Sequence, residues 1–498
     1  MLKIHNPRLA IFILVFGLTT APLALAGLGR SAPAAGYAEI KKLASAPAGG
    51  GLGVSVALEG DTLAVGAPYQ DGEAGAVYLF EWDLGGSGNW GLADVLTAGD
   101  AQPGDRFGWS VDFSGDTLAV GAYGEAGGPG DPLPRAGAVY IFERDQGLWT
   151  ETEKVTAGVP QSLDDFGWDV TLQADSLAVG KLDGVHVFER DLGGADNWGE
   201  AAVLQGSEAQ PGDAFGISVD LDGDVLAVGA FNQGGEAGAV YLFGRNQGGA
   251  GSWGELTWLM AGDAAPDDRF GHSVALSGDT LAVGAYQESG GQGDPLSFAG
   301  AAYIFERDAG GSGHWGEVAK VTAGDAQPVD FFGWSVGLSG DTLVVGAALE
   351  DGGPGDPSID SGATYVFERD LGGAGNWGEA QKLTAGDAQA GDLFSISIAI
   401  GGDWIAAGAF QEDGGPGDLA PNAGAAYLFS DEPVPTLTPT GTATETPTAT
   451  ATPSPTGTAT QIPTHTATAT GTPSATATAT ITPPPPYRLY LPVVLLGP

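Results

Sequence analysis

From Leu52 the chain reads LGVSVALEGDTLAVGAP, and this stretch returns six more times with substitutions. The later copies begin at Phe107 (FGWSVDFSGDTLAVGA), Phe166 (FGWDVTLQADSLAVG), Phe215 (FGISVDLDGDVLAVGA), Phe270 (FGHSVALSGDTLAVGA), Phe332 (FGWSVGLSGDTLVVGA) and Phe394 (FSISIAIGGDWIAAGA). Their spacing runs from 49 to 62 residues, the range of propeller-blade repeats. A segment such as DTLAVGA is apolar nearly throughout, as a strand covered on both faces must be. Asp61, Asp116, Asp175, Asp224, Asp279, Asp341 and Asp403 each follow a Gly or Ala between the first two runs. That is the chemistry of a tight hairpin, and a structural role is expected for them.

Each copy continues alike. A Gly/Asp-rich stretch leads to a segment like Gly75 to Glu81 (GAVYLFE), then a Gly-rich turn with Trp, then a run like Lys382-Leu383-Thr384-Ala385. Four short runs per unit make a four-stranded blade, and seven units make a seven-bladed all-β propeller over residues 37–430. The last copy ends at Phe429 without a fourth run, whereas Glu39 to Ala44 supplies one ahead of the first copy. The N-terminal strand is therefore expected to complete blade seven and close the ring, removing two open edges.

Composition fits this reading. Gly is abundant at 85 residues and only 16% of residues are charged, which suits strands and turns better than helices. The formal charge of −44 repels phosphate backbones and excludes nucleic acid as a partner. With no cysteine, disulfides, thiolate chemistry and Cys-based zinc sites are excluded. Residues 1–26 read as a cleaved export signal: Lys3 and Arg8, the apolar run LAIFILVFGL, then Ala24-Leu25-Ala26. No membrane-spanning helix is expected after cleavage. Residues 431–486 are a Thr/Ala/Pro-rich disordered linker, able to reach roughly 150 Å at about 3.1 Å per residue. Residues 487–498 form a short apolar tail (YRLYLPVVLL with Pro492 inside), too short to cross a bilayer as a helix.

The signatures FGWSV, GDTLAVGA and GAVYLFERD resemble the FG-GAP repeat of integrin α-subunit propellers. The resemblance implies a propeller that recognises a ligand on one face. One departure is plain: the integrin-type repeat carries an Asp-x-Asp-x-Asp-Gly calcium loop between its first two strands, and here that turn is only Leu276-Ser277-Gly278-Asp279-Thr280 or its equivalent. The chain thus resembles the bacterial variant without those loops, and no metal is expected there. Copies two, five, six and seven instead carry long loops between second and third strands: Tyr123 to Ala136, Tyr286 to Ala299, Ala348 to Ser361 and Phe410 to Ala423. Copy three has only Lys181-Leu182-Asp183. The candidate ligand or cation contacts are Asp351, Asp356, Asp360, Glu412, Asp413 and Asp418, with Ca²⁺ the cation such oxygens suit.

Motifs that resemble chemistry find no support in context. Gly333-Trp334-Ser335-Val336-Gly337 matches a nucleophile elbow, but no helix follows it. The Gly-x-Gly-x-x-Gly runs, as at Gly373 to Gly378, sit in strand-to-strand turns rather than at helix starts. The five histidines lack metal-ligand spacing, and Trp109, Trp168 and Trp334 share one first-strand position read as core. The expected function is therefore that of an exported, monomeric, cell-surface binding or adhesion module without enzymatic activity or cofactor, recognising an extracellular protein or glycan. The alternatives are a secreted hydrolase with its site in the propeller channel and a purely structural envelope protein.

Overall fold

A computed structural model describes residues 36–44, 46–126, 133–247, 249–289, 296–352, 359–413 and 420–431. Within them lie 28 strands in seven four-stranded antiparallel sheets, as the repeat predicts. Helix is limited to single turns at Gln70–Glu73 and Gln233–Glu236, each with left-handed residues inside. The expected signal, the Thr-rich linker past Asp431 and the apolar tail lie outside the described residues.

The inner strands contact one another in an unbroken cycle, blade seven meeting blade one. Blade seven is built from both ends of the described chain: Phe394–Gly401 inside, then Trp404–Ala409, Ala425–Ser430, and Ala38–Leu43 outside. Lys42 pairs with Tyr427 and Leu43 with Ala426 in the last ladder. The closing joint is apolar: Leu43, Ala426 and Leu428 of blade seven pack with Leu52, Leu63, Phe80 and Trp90 of blade one.

The cores lie between blades rather than within them. Leu118, Val120 and Phe142 of blade two share one cluster with Val77, Leu79 and Leu96 of blade one. The Phe of each Phe-Gly pair pins its blade's third strand edge-on; Phe107 sits 5.5 Å from Tyr140 and 5.8 Å from Phe142, centre to centre. Burying such a ring contributes about 1.5–3 kcal/mol. The glycine that opens the third strand is fixed by close approach in every blade but the third: a Cβ at Gly137 would stand 2.0 Å from the carbonyl oxygen of Phe166 in the next copy, and φ is +80° there. The hairpin aspartates turn the chain as expected. Several also bind the arginine ending the third strand, as Asp341 does Arg369 at 2.7 Å, while that guanidinium stacks 4.7 Å above Trp377.

Candidate ligand-binding face

The long loops and the connections between blades share one face because the backbone stitches them together. Phe166 and Asp165 donate N–H groups to the carbonyls of Ala136 and Arg135, and Phe332 and Phe331 do the same to Ala299 and Phe298. Parallel bridges such as Gly137 to Phe166 mark these seams. The loops between second and third strands are thereby held against the next blade; in blade three the Asp183 carboxylate does this instead, accepting the N–H groups of Gly212 and Ala214.

Four of the six candidate acids fall within the described residues, and the structure gives them local tasks. Asp351 Oδ1 accepts the N–H of Asp360 at 2.9 Å, and Asp413 Oδ1 that of Asn422 at 2.6 Å, each closing the base of its loop. Burial, then the neighbouring charge of Asp351, raises the pKa of Asp360. Glu412 is wholly buried and forms an ion pair with Lys42 of the closing strand at 2.7 Å. Asp356 and Asp418 lie outside the described residues. No group of three or more His, Cys, Asp or Glu side chains able to hold a metal occurs among the described residues.

The Glu412 pair belongs to a motif that recurs in the four long-loop blades. In blade two, Lys154 Nζ lies 2.7 Å from Asp100 Oδ2 and 3.1 Å from Glu125 Oε2, and Tyr140 donates its hydroxyl to Asp100 Oδ1 at 2.7 Å. Lys320, Lys382 and Lys42 repeat this with Asp263 and Glu288, Asp325 and Glu350, and Asp387 and Glu412. Burial alone would raise the pKa of each of these aspartates, but the lysine and tyrosine bonds outweigh it and hold all four low. The sequence carried the signal: the lysine occurs in the copies whose loops have glutamate as their third residue.

Two further features were missed or misjudged at the sequence level. The residue after each Phe-Gly pair heads an inner strand, and these residues meet around the axis. Trp109 lies 5.2 Å from Trp168, and His272 lies 4.6 Å from Trp334. Tyr69, Tyr123, Tyr286 and Phe410, at or just beyond the ends of second strands, extend this aromatic collar. Trp109, Trp168 and Trp334 are only partly buried, not the core residues their position suggested, and His272 shares their register. Arg106 lies against the rings of Tyr69 and Tyr123, at 5.8 and 5.2 Å, and is tied to Glu73. His272 gives its Nδ1 proton to the carbonyl of Trp334; burial lowers its pKa to about 4, so the ring is neutral near pH 7.

At the inner rim, one arc is acidic. Asp112 accepts the N–H groups of Phe113 and, from the next blade, Leu172; Asp169 those of Val170 and Val219; Asp220 those of Leu221 and Leu276. These N–H groups lie on the unpaired edge of the inner strands, so the carboxylates cap an edge that would otherwise be open. Burial raises their pKa values to about 8, 7 and 6, with the N–H bonds opposing it. The equivalent positions elsewhere hold Ser, Thr, Ala or Gly, as Ala57, Ala275, Gly337 and Ala399 show.

A family model described as the FG-GAP repeat matches residues 46–80, 90–142, 198–243, 253–305, 315–367 and 377–429, well over half of the chain. The stretch 143–197, which holds most of blade three, falls between matches. A search of curated proteins found no match.

Proposed function

Because the chain belongs to the FG-GAP repeat family, we propose that it is an exported, surface-displayed binding module that recognises a protein or glycan through its collar face, without catalysing a reaction. The observation that carries this reading is the collar itself: indoles on adjacent blades, Trp109 and Trp168, left partly open on the face where loops and connections converge. Aromatic rings with one open side, flanked by Arg106, suit stacking on sugars or on apolar side chains. A hydrolase in the channel would need carboxylates free to meet a substrate. Asp112, Asp169 and Asp220 spend their oxygens on backbone N–H groups, so the same atoms favour binding over chemistry. No helix among the described residues is long and apolar enough to cross a membrane. The test is a glycan array and a surface-protein pull-down with the secreted chain and with Trp109→Ala and Trp168→Ala. A specific ligand weakened roughly tenfold or more by either change, the scale of an aromatic anchor, supports the proposal. A ligand indifferent to both removes the collar as its site.

A further inference from the structure

Blade three departs from its siblings in one region. Its third strand, Gly184–Arg190, carries His186 where the other six blades have Tyr78, Tyr140, Tyr241, Tyr303, Tyr365 and Tyr427. Its outer strand, Trp198–Leu204, sets Val203 opposite His186, where four blades place the clustered lysine. The incoming connection brings Val159 to the place of Asp100, Asp263, Asp325 and Asp387. The loop that covers this region in the long-loop blades has shrunk to Lys181-Leu182-Asp183. What remains is a recess of about 300 Å³, lined by Val159, Gln161, Lys181, His186, Glu200 and Gln205 among others. That size lies at the small end of ligand pockets.

The polar groups there are not those of a filled core. His186 is 6% exposed, its Nδ1–H donates to Glu200 Oε1, and its Nε2 is buried with no hydrogen-bond partner among the described residues. Leaving such an atom unsatisfied costs about 1–3 kcal/mol. In five other blades the glutamate equivalent to Glu200 accepts a backbone N–H from the connection instead, as Glu151 does from Gly99 and Glu379 from Gly324, both at 2.7 Å. Glu200 turns to the histidine and takes its Nδ1–H, which leaves Nε2 as the ring atom without a hydrogen bond among the described residues. Val159 and Val203 are 78% and 57% exposed beside it.

The chemistry of the lining narrows the occupant. Lys181 is neutralised by Asp164 at 3.0 Å, and the Asp183 carboxylate is held by the N–H groups of Gly212 and Ala214. With Glu200 added, the recess is net negative within a strongly acidic protein, which repels anions. The partner that fits is not an anion, hydrogen-bonds Nε2, exchanges hydrogen bonds with the amides of Gln161 and Gln205, and offers C–H surface to two valines. We propose that the blade-three recess binds one neutral sugar residue, a ring hydroxyl hydrogen-bonded to His186 Nε2. This site is separate from the collar and stands or falls independently of it.

The full-length chain is titrated with glucose, galactose, mannose and N-acetylglucosamine while the histidine ring nitrogens and valine methyls are followed by NMR. At least one sugar is expected to shift the His186 Nε2 resonance saturably, together with Val159 or Val203 methyls. His186→Tyr restores the residue of the other six blades and so keeps the fold, and Val203→Lys sets a lysine across the recess as four blades do. Each should weaken that sugar by roughly tenfold or more, about 1.4 kcal/mol. No response to any of the four sugars, or a response that survives both variants, overturns the proposal. Loss of the response in Trp109→Ala instead assigns the sugar to the collar and overturns it as well.

Discussion

The hydroxyls of Thr364 and Ser395 meet across the junction between blades six and seven, and both residues are wholly inaccessible to solvent. Elsewhere the first of these positions is Val or Ala, and the second is glycine. Ser395 holds φ +73°, a conformation that costs a side chain strain. Thr364→Val strands the serine hydroxyl and is expected to destabilise by about 1–3 kcal/mol. The double change Thr364→Val, Ser395→Gly restores the pairing used at other junctions and should be at least as stable as the parent in urea unfolding. A double variant as weak as the single one would refute the coupling.

Lys42 and Glu412 join the first described strand to the last loop, and the glutamate is buried. Lys42→Met removes the cation that faces this buried carboxylate, so the thermal midpoint should fall, by the equivalent of about 3 kcal/mol. Glu412→Gln, which keeps the shape and drops the charge, should cost less. Equal losses in both variants would show that shape rather than charge governs this contact.

The inner-rim aspartates make a pH prediction. Their folded-state pKa values of about 8, 7 and 6 stand above the unfolded carboxylate value of about 3.9. Their contribution is therefore complete below about pH 4 and is lost as pH rises through 6, 7 and 8. Asp112→Asn cannot titrate and keeps only one of the two acceptors, so its melting midpoint relative to the parent should be lowest at about pH 4 and rise steadily toward about pH 9. Differential scanning calorimetry across that range checks it; a pH-independent difference would count against a titrating Asp112.

Gly137 tests the seams. Its φ of +80° and the Phe166 carbonyl oxygen 2.0 Å from a would-be Cβ leave no room for a methyl group. Gly137→Ala should destabilise by several kcal/mol, on the order of 3. Gly147→Ala, with φ +83° but open space around it, should cost less. Chemical denaturation of the pair separates steric clash from backbone strain.

The fold was legible because one pattern, read seven times, averages out the ambiguity of any single run. The leading segment Glu39 to Ala44 could be assigned because it matched a piece missing from the last copy. The face was legible in part. Loop length located the elaborated blades, but the task of Glu412 depended on a lysine hundreds of residues away in the chain. The openness of Trp109 and Trp168 depends on what stands around the axis, which periodicity along one strand does not encode. Asp112, Asp169 and Asp220 were visible as departures from Ser, Thr, Ala and Gly at their positions, yet only the register of the inner strands aims them at unpaired N–H groups. His186 was seen as an isolated histidine; its meaning came from the absence of the loop and lysine that accompany tyrosine elsewhere.

Blade seven takes its outermost strand from residues 38–43 and its other three from residues 394–430. During synthesis the earliest part of the propeller must therefore wait, its apolar flank at Leu52, Leu63 and Phe80 uncovered, until the latest part has left the ribosome. Interruption anywhere before residue 430 yields an arc with two sticky ends rather than a smaller disc. Only the full span from residue 38 to residue 430 covers both flanks at once.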